Sequence, residues 1–82
     1  MTESTSSSRY KTLRRALIDA RLAAGLTQAQ VALALSRPQS FVSKYERGER
    51  RLDLVELIRV ARVVQVDVHD LVRQVGAEEG SL

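Results

Sequence analysis

Cysteine and tryptophan are absent from the 82 residues, and there is one histidine and one proline. Without a thiol there is no disulfide framework, no thiolate metal site and no thiol nucleophile. A single imidazole, His69, leaves no histidine pair for zinc or copper, so no metal and no cofactor is expected. No apolar run approaches the ~20 residues that span a bilayer, which argues against a membrane partner. The opening stretch MTESTSSS is polar, and no apolar signal-peptide segment follows it. A single small cytoplasmic domain with one modest core is the expectation.

The charge is unevenly placed. Residues 1–52 carry ten basic and four acidic side chains, whereas residues 53–82 carry three and six. Two basic clusters stand out, Arg9, Lys11, Arg14 and Arg15, then Arg37, Lys44, Arg47, Arg50 and Arg51. Such polarity suits a polyanionic partner, although solvated surface arginines alone would look similar. The acidic half is simpler to explain. Asp53, Glu56, Asp67 and Asp70 fall where first helical turns are expected, and negative charge there complements the helix dipole.

Between a polar tail at 1–8 and a thin tail at 76–82, five segments show helical period and none shows sustained alternation. The chain therefore reads as all-α, with an ordered domain over 9–75. A first helix from about Arg9 to Ala24 places Leu13, Leu17, Ala20 and Ala24 on one stripe and stops at Gly25. Thr27 and Gln30 form a capping-box pattern that opens a short second helix with Val31, Ala32 and Leu35 inward. Ser36-Arg37-Pro38 breaks it, and a third helix starting beside Pro38 runs to Glu46 or Arg47 before Gly48. Asp53, with Glu56 at the third helical position, gives a partial box for a fourth helix buried through Leu54, Leu57, Ile58 and Ala61. A fifth short helix follows Asp67.

A short capped helix, a three-residue break and another short helix describe a helix-turn-helix. Ala32 is small where the second of these helices must cross, and Val31, Leu35, Val42 and Tyr45 fill the angle between them. From Leu26-Thr27-Gln28 through Val42-Ser43, Glu46-x-Gly48 and the Asp53–Leu71 tail, the sequence resembles the phage-repressor, Cro- and XRE-like helix-turn-helix family. The resemblance covers about residues 13–75. Two positions depart from the family pattern. Ser36 stands where glycine is usual, and Arg37-Pro38 replaces an apolar residue and a Ser/Thr cap.

The resemblance implies a compact five-helix bundle of the lambda-repressor-like type and sequence-specific binding of duplex DNA. The helix of about 38–46 would lie in the major groove. Gln39, Ser40, Ser43 and Lys44 would then face base edges; Gln matches adenine N6/N7 and Lys can donate to guanine O6/N7. Gln28, first in its helix, would bond a phosphate and brace Gln39. Arg37, Arg47, Arg50 and Arg51 would neutralise further phosphates. The family also holds Arg21 and Glu46 as a buried structural ion pair. Phe41 reads as packing more than as a thymine contact, Tyr45 as core and His69 as surface.

So small a domain should not bury every C-terminal valine. Val60, Val64, Val68, Val72 and Val75 are therefore candidates for a homodimer seam, and family members usually pair on two half-sites. The resulting expectation is a non-enzymatic transcriptional regulator, a repressor by family habit, dimeric on a palindromic operator. The alternative is a protein-interaction or antitoxin-type module that binds another protein through the valine-rich face. No small-molecule ligand is expected, since no second domain exists to hold one.

Overall fold

The computed structural model describes residues 8–79, and along them the chain forms five helices and no strand. They are α1 (Ser8–Ala23), α2 (Gln28–Leu35), α3 (Gln39–Arg47), α4 (Leu54–Val63) and α5 (Val68–Glu79). The tail expected at 1–8 lies outside the described residues except for Ser8, which already belongs to α1. At the other end, α5 continues through Gly76 to Glu79. This corrects the expected end at Val75; Ala77, Glu78 and Glu79 are good helix formers and sustain the last turn.

Both capping boxes close. Thr27 Oγ1 accepts from the Gln30 amide at 3.0 Å, and Gln30 Oε1 accepts from the Thr27 amide at 2.8 Å. Asp53 and Glu56 repeat the exchange at 2.8 and 3.0 Å. Each box satisfies two amides that a helix start otherwise leaves open.

The turn between α2 and α3 depends on Ser36. Its backbone is left-handed (φ 57°, ψ 42°), and its amide bonds back to the carbonyls of Ala32 and Leu33. Arg37 N then reaches Ala32 O at 3.0 Å, closing the helix end in the way that glycine usually permits. Pro38 follows at φ −64°, ready to lead into α3.

Leu17 of α1 meets Val31, Ala32 and Leu35 of α2, Phe41, Val42 and Tyr45 of α3, Val60 and Ala61 of α4, and Leu71 of α5 in one core. α1 packs along α5, while α2 crosses both α3 and α4. The packing of α4 against α2 and α5 is what a count of valines does not anticipate. Val60 and Val64, on and just after α4 and at 0% and 1% exposure, are core residues and cannot form a seam with a second copy. Val68 packs partly against the same core, Val75 is half-buried and Val72 is exposed. A further correction concerns Leu54. It is exposed, with Val55 beside it, because the first turn of α4 lies at the edge of the core and burial becomes complete only in the second half of the helix, at Val60 and Ala61.

The left-handed conformation costs a non-glycine residue roughly 1–2 kcal/mol, and glycine returns part of that as unfolded-chain entropy. Ser36→Gly is therefore expected to stabilise the fold by about 0.5–1 kcal/mol, read as a higher midpoint in thermal denaturation. A lower midpoint would mean that the Ser36 side chain itself supports the turn.

Candidate nucleic-acid interface

α3 has two unlike faces. Phe41, Val42, Tyr45 and Glu46 are buried, whereas Gln39, Ser40, Lys44 and Arg47 are exposed and Ser43 is half-buried. At about 100° per residue, the five outward residues fall within an arc of roughly 140°, with Gln39 and Lys44 at its edges. The arc is polar throughout. Ser43 Oγ donates to Ser40 O at 3.3 Å, so that hydroxyl proton stays on its own helix.

The last turn of α3 is held by Glu46. Arg21 of α1 meets it in a forked pair, Nε to Oε2 at 2.7 Å and Nη2 to Oε1 at 3.1 Å. Arg21 Nη1 also donates to the carbonyl of Leu26 at 3.0 Å, so one guanidinium ties α1, the α1–α2 link and α3 together. Gln28 Nε2 donates to Glu46 Oε1 at 2.8 Å. The Gln28 amide group thus braces Glu46, where the sequence suggested Gln39. Arg14 completes the arrangement by donating from Nη1 to the Glu46 carbonyl at 3.1 Å. A cation at that point also answers the negative end of the α3 dipole. Tyr45, packed beside the pair, has its hydroxyl pKa raised by burial and then by the Glu46 charge.

A separate cluster holds the first turn. The Phe41 ring stands edge-on to Tyr45 with centroids 5.6 Å apart. Over the same ring lie the guanidinium carbons of Arg37 and Arg50, at 4.4 and 4.7 Å from its centroid. Both cations also reach Glu56 of α4: Arg50 by two bonds of 2.9 Å, Arg37 by one of 3.3 Å. These bonds, the Arg50 pair first and the Asp53 amide second, hold the Glu56 carboxyl down at about 2. The bridges therefore stabilise the fold above the ordinary carboxylate range and are lost as the pH falls toward that value.

The other candidates lie around these two clusters. Arg47 pairs with Glu49 at 3.0 Å on the exposed rim, and Arg51 stacks over Tyr10 at 4.6 Å. The Tyr10 hydroxyl accepts from the Leu52 amide at 3.1 Å, which fixes that loop against α1. Among the described residues, no group of His, Cys, Asp and Glu is arranged to hold a metal ion, and no helix is long and apolar enough to cross a membrane. The sequence reading missed two cross-chain caps, Arg14 on Glu46 O and Arg59 on Leu35 O, the latter at 3.2 Å. Their partners lie 32 and 24 residues away, beyond any local pattern.

Comparison with known proteins agrees with this geometry. The helix-turn-helix family profile matches residues 17–71. Among solved structures, an XRE-family like protein from Pseudomonas syringae pv. tomato str. DC3000 is 46% identical. The match spans 85% of this chain and 85% of that chain, with a TM-score of 0.81. No curated protein matches significantly.

The Arg21 and Glu46 side chains are only 13% and 6% exposed, so removing one strands the other in a poorly hydrated site. Arg21→Ala is expected to cost about 3–5 kcal/mol, measured by chemical or thermal denaturation. An unchanged midpoint would contradict a structural role for the pair.

Proposed function

The chain belongs to the XRE-like helix-turn-helix family of DNA-binding regulators, and from that premise we propose that it reads a short duplex sequence with α3 as a homodimeric repressor. The observation that carries this reading is the exposed polar arc of α3, on a helix anchored at both ends by its buried face. A rod with one narrow polar face is what the major groove admits. On this reading Gln39 pairs with adenine and Lys44 donates to guanine, while Ser40 and Ser43 make shorter contacts between them.

Phosphates flank the groove on both sides. Arg47 and Arg51, both exposed, are the most accessible cations for them, with Arg37 and Arg50 behind. Gln28 would contribute through the first amides of α2, which the Thr27 cap leaves over, since its side chain is engaged with Glu46. These contacts set position and affinity without reading sequence.

For the dimer, the support is the apolar surface that remains uncovered. Val72, Leu54 and Val55 are exposed. An open groove of about 270 Å³ runs beside Val72 and Val75, lined also by Leu13, Leu57 and Leu71. Val68, Val72 and Val75 are thus the seam candidates that burial leaves standing. Pairing there would present two copies of α3 to half-sites about 34–36 Å apart. The same surface would serve the alternative, an unrelated protein partner of antitoxin type. The reading is non-enzymatic, and its compartment is the cytoplasm.

Selection of bound sequences from random duplex DNA tests this reading. Inverted half-sites are expected, with a log–log salt slope of about −0.9 per neutralised phosphate. Gln39→Ala should lose about 1–3 kcal/mol of preference at one base pair, whereas Arg51→Ala weakens all duplexes alike. Equal losses for Gln39→Ala on selected and mixed-sequence DNA would overturn base reading by α3. Single half-sites, or co-purification with an unrelated protein, would overturn the homodimer.

A further inference from the structure

We propose that Glu56 is a positioning residue that restrains sequence-independent DNA affinity by holding Arg37 and Arg50 on the Phe41 ring. The inference rests on the DNA-binding reading above and adds a role for an acidic residue that makes no DNA contact itself. Its ground is where the three charges sit. Arg37 directly precedes Pro38 and the start of α3, and Arg50 lies in the loop that follows it. Phe41, over which both guanidiniums lie, is the neighbour of Ser40 on the outward arc. The cluster therefore borders the proposed reading face.

Within it the carboxylate is the covered partner, 14% exposed, against 37% for Arg37 and 38% for Arg50. Arg50 directs both terminal nitrogens to Glu56, and Nη1 donates to the Arg51 carbonyl as well. A phosphate approaching this border meets an Arg50 whose two terminal nitrogens are already engaged, an Arg37 bonded once to the same carboxylate, and a cluster whose net charge is +1 instead of +2. Every duplex, whatever its sequence, is held less tightly by about one phosphate contact. Base contacts by α3 then form a larger share of the total affinity, which favours discrimination between sites.

Charge and cap are separable at this position. Glu56 also closes the α4 capping box, but a glutamine can do that, as Gln30 does for Thr27 in α2 at 2.8 Å. Glu56→Gln therefore releases the arginines while keeping the cap. The experiment measures binding of the full chain to a mixed-sequence duplex of about 20 base pairs across a salt series, below each variant's thermal midpoint.

Glu56→Gln is expected to steepen the log–log slope by about 0.9 and to raise affinity roughly fivefold to tenfold at about 0.1 M salt. Glu56→Met, which also lacks the carboxylate, should show the same slope. Asp53→Glu, which replaces a good cap by a poor one but keeps the charge, should lower the thermal midpoint and leave the slope unchanged. Wild-type slopes for both Glu56 variants would overturn the proposal, as would an equal steepening in Asp53→Glu. If the wild-type protein itself shows no salt-dependent binding to the duplex, the DNA-binding reading fails, and the proposal falls with it.

Discussion

One carboxylate buried at the end of α3 is the constraint on which the rest of the molecule depends. A charge withdrawn from water needs partners of high geometric quality, and Glu46 finds them on two other helices. Arg21 approaches from α1 in a fork and Gln28 from the start of α2. These donors are directional, so they fix how α3 is rotated as well as where it lies. Apolar contacts among Val31, Val42 and Tyr45 supply cohesion, but such packing tolerates small rotations that a forked ion pair does not. The position of Gln39 and Lys44 in space is thus inherited from side chains on the opposite face.

The two ends of α3 are secured by different chemistry. At the last turn the anchor is a buried ion pair; at the first it is an aromatic ring covered by two guanidiniums and tied to α4 through Glu56. α1 and α2 hold one end and α4 the other, so the scaffold grips the helix along its length. What remains unanchored is the polar arc. Rigid support behind an exposed face is what a binding element requires if its side chains are to meet fixed partners without a large ordering cost.

Much of this fold is legible in the sequence where the determinants are local. The T-x-x-Q and D-x-x-E boxes mark the starts of α2 and α4 because a cap and its partner are three residues apart. Gly48 marks the end of α3 for a similarly local reason, its left-handed φ of 83°. Burial of Val60 and Val64 is different, since it depends on α2 packing against α4, a fact about distant chain. The same holds for Arg14 and Arg59, whose carbonyl partners have no sequence signature at all. Only the family resemblance connects Arg21 with Glu46, 25 residues on. Phe41 reads as a packing residue from its chemistry, but the two arginines and Glu56 that surround it come from three separate segments.

If orientation of α3 is what the buried pair supplies, then stability and recognition should separate when the pair is replaced by apolar groups of similar size. The direct measurement is the ratio of affinities for a selected site and a mixed-sequence duplex in the double variant Arg21→Met, Glu46→Leu, alongside its thermal midpoint. The account predicts a midpoint near or above that of the wild type, since well-packed apolar replacements of buried ion pairs are often neutral or stabilising, together with a clearly reduced affinity ratio. A folded double variant that keeps the full ratio would contradict it.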